Sequence, residues 1–85
     1  MRVLIPSALQ SYTGRPWVEA EGASVDQVLL DLDRQFPGIR FRMLDEQRRI
    51  RRHIRLFFAG EMLFDPDQPL PADGELHIVQ ALSGG

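Results

Sequence analysis

The segment SVDQVLLDLDRQFPG, residues 24–38, decides the fold of this 85-residue chain because it carries the clearest helix pattern. Ser24 and Gln27 have the spacing of a capping box, and Asp26 places a carboxylate in the first turn, where the helix dipole favours negative charge. The Pro37-Gly38 pair ends the helix. Apolar residues recur at helical spacing, at Val25, Val28, Leu29, Leu32 and Phe36. The segment therefore predicts one amphipathic helix.

Short apolar runs between turn residues predict strands on both sides of this helix. Residues 1–5 and 15–21 form the first two strands, and a polar turn region joins them. Residues 49–59, 62–64 and 75–81 form three more. The order is therefore β-β-α-β-β-β. We expect an α+β fold of the β-grasp type, with a mixed sheet, the main helix packed on one face, and the first and last strands parallel in the middle.

The apolar side chains divide into an expected core and an expected open sheet face. In the last strand, Leu76 and Ile78 alternate with His77 and Val79, so these pairs lie on opposite faces. Trp17 is expected to cap an edge of the core. Residues 39–44 are expected to add a short helical turn that packs Phe41 and Leu44. The phenylalanines assigned to the core are Phe36, Phe41, Phe58 and Phe64.

The composition excludes several classes of function. A chain of this length forms one domain, and its core leaves little room for a deep, water-excluding active site. It has no cysteine and two histidines, so we expect no thiol nucleophile and no metal site. Its net charge of −2 disfavours a nucleic-acid binder. Without a signal peptide or a membrane-spanning run, a cytoplasmic protein with no membrane partner is expected.

All ten basic residues apart from the histidines are arginine, and the segment Arg48–Arg55 concentrates five of them with His53. Without lysine, the chain offers no side-chain amine for an isopeptide bond. One interpretation of the segment is a solvated strand edge, where charge discourages aggregation. The other is a docking patch for an acidic partner, with nucleic acid the least favoured occupant because the chain is acidic overall.

The sequence closes on Leu82, Ser83, Gly84 and Gly85, directly after the last strand. We expect residues 1–81 to form the domain and residues 82–85 a flexible C-terminal tail. Glycines fit a slot too narrow for any Cβ, and a terminal carboxylate is ionised near neutral pH. An adenylating enzyme could bring this carboxylate to the α-phosphate of ATP. A sulfur donor could then convert the acyl-adenylate into a thiocarboxylate on Gly85.

The combined pattern resembles the MoaD/ThiS family of ubiquitin-like sulfur carriers over nearly the full chain. The length and the YTG and PG segments are similar to its longer members, which include carriers that feed sulfur to cysteine or natural-product synthesis. Molybdopterin-synthase small subunits are similar too. The matching segments are Ile5-Pro6, Tyr12-Thr13-Gly14, Ser24-Val25, Pro37-Gly38, Gly60-Glu61, Ala72-Asp73-Gly74-Glu75 and the closing Gly-Gly.

The resemblance implies a carrier rather than an enzyme, with Gly85 as the adenylated and sulfur-carrying residue. Gly84 and Ser83 would give access to the activating site, and Leu82, Val79 and Phe57 match the family's partner-binding patch on the open sheet face. The implied partners are an ATP-dependent adenylyltransferase of the ubiquitin-activating type and a sulfur-acceptor biosynthetic enzyme. The chain itself would bind no cofactor, because its partner uses the ATP. The alternative is a non-catalytic ubiquitin-like interaction module or protein modifier.

Overall fold

Five strands form one mixed sheet in the computed structural model, which describes residues 1–81. The sheet order is β2-β1-β5-β3-β4. β1 and β5 are parallel, and the other pairs are antiparallel. The predicted order of elements and the parallel central pair are confirmed. The strands are β1 (Arg2–Leu4), β2 (Trp17–Glu19), β3 (Ile54–Phe58), β4 (Glu61–Leu63) and β5 (Glu75–Gln80).

A short helix, α1 (Gln10–Thr13), and the main helix, α2 (Val25–Gln35), complete the regular structure with two 3-10 turns, Ser7–Leu9 and Arg40–Arg42. The region between β1 and β2, predicted to be a polar turn, is therefore largely helical. Helix α1 ends at Gly14, whose φ of +73° suits a residue without a Cβ.

The N-terminus of α2 forms as its sequence predicts. The Ser24 hydroxyl accepts a hydrogen bond from the Gln27 N–H at 3.3 Å. The Gln27 side chain accepts from the N–H of Ala23 at 2.9 Å, one residue before the helix cap. These two bonds satisfy backbone donors that no helical carbonyl can reach, which fixes the start of α2 at Val25.

The apolar face of α2 lies on one side of the sheet, and the core fills the space between them. Leu76 and Ile78 of β5 face this core, as the alternation predicts. Other fully buried side chains come from α2, β1, β3 and the segment after α2, among them Val3, Val28, Leu29, Leu32, Ile39, Met43 and Leu56. Phe36 and Phe58 pack against this cluster. The opposite face of the sheet is open.

Two of the four phenylalanines assigned to the core were placed wrongly. Phe64 is 77% exposed because Leu63 takes the core position at the end of β4, and the next side chain points away. Phe41 is 53% exposed because Ile39, Met43 and Leu44 already fill the core around the short turn. The turn itself was predicted correctly, and Leu44 is buried there.

The predicted third strand, residues 49–59, is also too long. Only Ile54–Phe58 pairs in the sheet as β3. The preceding loop folds back on the segment after α2, with an isolated bridge between Leu44 and Ile50 and a hydrogen bond from the Arg51 N–H to the Met43 carbonyl at 2.8 Å. Within residues 1–81, no helix has the length and apolar character needed to cross a bilayer.

Candidate functional site

The open face of the sheet carries a row of large side chains that crosses all five strands. Directly paired positions run from Trp17 through Leu4, His77 and Phe57 to Met62. Paired residues point to the same face of a sheet, so these five side chains lie next to one another. Met62 is 38% exposed and the other four are half-buried. The row therefore forms a mostly apolar strip that solvent can reach.

Val79 lies beside this strip, two residues after His77 on the same face of β5, and it is 41% exposed. It pairs with Arg55, while Phe57 pairs with His77. Phe57 and Val79 are thus diagonal neighbours on the open face, where the alternation places them. Their role as partner contacts stays a prediction.

Trp17 belongs to the open face and does not cap the core, which corrects the sequence-based expectation. Val18 takes the core position of β2, so Trp17 points the other way. The Arg2 guanidinium lies 4.0 Å from the Trp17 ring centre, and the His77 ring meets the indole edge-on at 5.8 Å between centroids. These contacts hold the indole ring at one end of the strip.

Glu75 links Arg2 to His77 in this cluster. One of its carboxylate oxygens accepts a hydrogen bond from Arg2 at 3.0 Å, and the other lies 3.1 Å from Nε2 of His77.

Leu4, Trp17 and Met62 were not assigned to the site from the sequence. The signal that could have found them is alternation, because each directly neighbours an apolar residue that takes the core position, namely Val3, Val18 or Leu63.

β5 leads directly to the predicted tail. It lies between β1 and β3, and the N–H of Ala81, just after it, donates to the His53 carbonyl at 2.7 Å. The predicted site residues Leu82, Ser83, Gly84 and Gly85 lie outside the described residues. Their assigned roles therefore stay predictions.

Most of the arginine segment lies outside the sheet, because only Ile54 and Arg55 belong to β3. Its first member, Arg48, is part of a structural ion-pair network. The largely buried carboxylate of Asp26 accepts two hydrogen bonds from Arg40, at 2.8 and 3.1 Å, and two from Arg48, at 3.1 and 2.9 Å. Arg48 also reaches Asp67 at 2.6 Å. The network joins the start of α2 to two loops that are distant in sequence.

This network lowers the pKa of Asp26. The side-chain hydrogen bond from Arg40 is the largest cause, and the bond and charge of Arg48 act in the same direction. Burial of the carboxyl group opposes them but is outweighed. Asp26 was predicted to interact with the helix dipole alone. Neither arginine could be assigned to it, because they lie 14 and 22 residues away along the chain.

The other arginines of the segment have different neighbours. Arg49 pairs with Asp45 at 3.3 Å. Arg51 donates to the Phe41 carbonyl at 2.6 Å and stacks on the Phe41 ring, 4.5 Å from its centre. Arg55 donates to backbone carbonyls within its own segment. Considering residues 1–81 only, no group of three or more histidine, aspartate or glutamate side chains is placed to hold a metal ion.

Comparison with known proteins gives matches among solved structures only, since no protein-family model and no curated protein sequence matches the chain. A chain of the Amycolatopsis orientalis BexX/CysO complex superposes with a TM-score of 0.89 at 28% identity, covering 99% of this chain and 98% of that one. Mycobacterium tuberculosis CysO, described as an antigen, gives 0.85 at 26% identity, with coverages of 95% and 98%.

SAMP1 from Haloferax volcanii superposes with a TM-score of 0.78 at 24% identity, covering 100% of this chain and 98% of that one. At this identity the likeness concerns the fold alone. These likenesses span nearly the whole length of each chain, and they confirm the predicted ubiquitin-like β-grasp fold.

Proposed function

We propose that this ubiquitin-like β-grasp protein of the MoaD/ThiS type carries sulfur as a thiocarboxylate on Gly85. The observation that carries the proposal is the Gly84-Gly85 ending on a chain whose body matches CysO over nearly its full length. The structural neighbours are small carrier or modifier proteins, which supports a carrier role over an enzymatic one.

Loading requires two displacement steps at the terminal carboxyl group. A carboxylate oxygen of Gly85 attacks the α-phosphorus of ATP, pyrophosphate leaves, and an acyl-adenylate forms. A sulfide nucleophile then attacks the carbonyl carbon, and AMP leaves with the bonding electron pair. The product is a thiocarboxylate, whose polarizable sulfur attacks an electrophile in the acceptor enzyme. ATP binds to the activating enzyme, and this chain needs no cofactor of its own.

The body of the protein provides recognition. The strip on the open sheet face is apolar and partly exposed, which is typical of surfaces that bind other proteins. Phe57 lies in the strip and Val79 beside it, and Leu82 follows shortly after Val79 in the sequence. We assign these three residues to contact with the activating enzyme. The same face would then contact the acceptor enzyme, because one tail must reach two active sites in turn.

The sulfur acceptor is a biosynthetic enzyme in this proposal, serving cysteine, cofactor or natural-product synthesis. A small-subunit role in a molybdopterin-synthase-like complex is one form of it. A protein modifier is the second candidate, because neighbours of the same fold include small archaeal modifier protein 1 from Methanosarcina acetivorans. In that case the activated Gly85 carbonyl would be transferred to a lysine amine of a target protein.

Intact-protein mass spectrometry tests the proposal. The chain is incubated with ATP, sulfide and the adenylyltransferase of its own genome. The expected result is a mass gain that corresponds to replacing one oxygen by sulfur, located on the last residue by fragmentation.

The matched control lacks only Gly84 and Gly85. It should unfold at the same temperature as the full chain and gain no mass. An equal mass gain in the truncated chain, or none in the full chain, would refute the sulfur-carrier role. Adducts on target lysines without a thiocarboxylate would favour the modifier.

A further inference from the structure

A groove of about 400 Å³ lies between the arginine segment and strand β4. One wall is formed by arginines, including Arg51, Arg52 and Arg55. The other includes Met62 and Phe64, at and just after the end of the sheet. The groove therefore places positive charge opposite apolar surface.

Part of the positive charge of this wall is not neutralised within the described part of the chain. Arg48 and Arg49 pair with aspartates, but no carboxylate of residues 1–81 lies within 4.0 Å of a charged nitrogen of Arg51, Arg52 or Arg55. Backbone carbonyls hold the heads of Arg51 and Arg55 in place. The chain has a net charge of −2, but Arg51, Arg52 and Arg55 together form a local concentration of cations that no carboxylate of residues 1–81 pairs with.

The apolar wall of the groove is exposed to solvent. Phe64 is 77% exposed and Met62 is 38% exposed, and β4 is the edge strand of the sheet. An exposed phenylalanine of this kind loses contact with water only when another molecule covers it. Met62 also ends the row of side chains on the open face, so the groove continues the strip described above.

We propose that this groove binds a segment of a partner protein in which carboxylate side chains flank an apolar side chain. The carboxylates would pair with Arg51, Arg52 and Arg55, and the apolar side chain would cover Phe64. A nucleic acid fits less well, because a phosphate backbone gains nothing from the apolar wall and the acidic chain repels a long polyanion.

The groove also lies next to the start of the tail. His53, within the arginine segment, accepts the hydrogen bond from Ala81, the last described residue. A protein that binds the groove is therefore close to the point from which residues 82–85 continue. The identity of that protein as the activating or acceptor enzyme rests on the proposed function, whereas binding in the groove does not.

NMR titration of the 15N-labelled full chain tests the proposal. The probe is a synthetic twelve-residue peptide of alternating glutamate and leucine, with both ends blocked. We expect amide shift changes confined to residues 48–55 and 61–64, and binding that weakens several-fold between low and high salt. The double variant Arg52→Ala/Arg55→Ala should bind about 3- to 10-fold more weakly, because each exposed ion pair contributes modestly.

Arg15→Ala is the matched control, because Arg15 is exposed just before β2, at the opposite edge of the sheet. It should leave peptide binding unchanged. Three results would overturn the proposal: no shifts at millimolar peptide, equal binding of the peptide with lysine in place of glutamate, or tighter binding of an oligouridylate at the same residues. Sulfur loading without peptide binding would refute the binding role of the groove alone. Peptide binding without sulfur loading would refute the carrier role alone.

Discussion

Replacing Asp26 by asparagine should be among the most destabilising single changes to a polar side chain in this protein. The carboxylate is 11% exposed and accepts four hydrogen bonds from two guanidinium groups. Asparagine keeps the shape of the side chain but loses the charge and one acceptor. Its amide group would face guanidinium donors, so Arg40 and Arg48 would lose their carboxylate partner.

The magnitude follows from the burial of the three partners. Removing one member of a fully buried ion pair costs about 3–5 kcal/mol. Here Arg40 is 25% exposed and Arg48 is 47% exposed, so water partly replaces the lost partner. We therefore expect a loss of about 2 kcal/mol in the free energy of unfolding. For a domain of this size, that corresponds to a fall of roughly 8–16 °C in Tm.

The loss should depend on pH in a defined direction. The pKa of Asp26 is lower in the folded protein than in the unfolded chain, mainly through the hydrogen bond from Arg40. The ionised carboxylate therefore contributes its full stabilisation above the unfolded pKa of about 4. The contribution is lost as the pH falls through the lowered folded pKa. The difference between Asp26→Asn and the native protein should be constant near neutral pH and shrink below about pH 4.

Urea and thermal unfolding followed by circular dichroism, from pH 7 to pH 3, measure both quantities. Asp67→Asn is the matched control, because Asp67 is 70% exposed and binds only Arg48 in the network. It should lower the Tm far less than Asp26→Asn. Equal stability of the native protein and Asp26→Asn at pH 7, or a difference that grows as the pH falls, would show that the network does not hold these segments together.

Two further predictions concern the turn before β5 and the open face. Gly74 has a φ of +123°, and a Cβ there would lie 2.6 Å from the Phe58 ring, so Gly74→Ala should cost about 2 kcal/mol in chemical denaturation. Gly60→Ala, with a φ of +82° but no atom near the added Cβ, should cost about 1 kcal/mol, and equal losses would contradict the steric argument. Val79→Asp should slow activation by the adenylyltransferase about tenfold while the fold stays intact. Leu30→Asp, an equally apolar and 50% exposed site on α2, should leave the rate unchanged, and an identical effect of both variants would exclude a specific role for the open face.

The fold was predictable because its main signals are local. Helix α2 has its cap and apolar period within the short segment of residues 24–38, and β5 shows its two faces by simple alternation. The same alternation also led to an error at residues 49–53. Ile50 lies between Arg49 and Arg51 as an apolar residue does in a strand, but it pairs with Leu44 in a loop. Contacts between segments that are distant along the chain determine the conformation of residues 49–53, and the spacing of residues in the sequence does not reveal such contacts.

The candidate site was predictable only in part for the same reason. Phe57 and Val79 were placed on the open face from their own strands. Trp17 was missed because a shift of one residue moves a side chain to the opposite face of a three-residue strand. The ion pairs of Asp26 connect residues that no local rule relates. Side chains whose role depends on contacts between distant segments are therefore the ones that only the structure could identify.

The parallel pairing of β1 with β5 links the first and last strands of the domain. Arg2 lies opposite Glu75, 73 residues away along the chain, and these two strands occupy adjacent central positions of the sheet. A nascent chain on the ribosome cannot complete this sheet until β5 has emerged, and such long-range pairing makes folding comparatively slow. Incomplete translation products would consequently lack a finished domain. Under the proposed function, an activating enzyme that recognises the folded sheet would ignore them and spend no ATP on them.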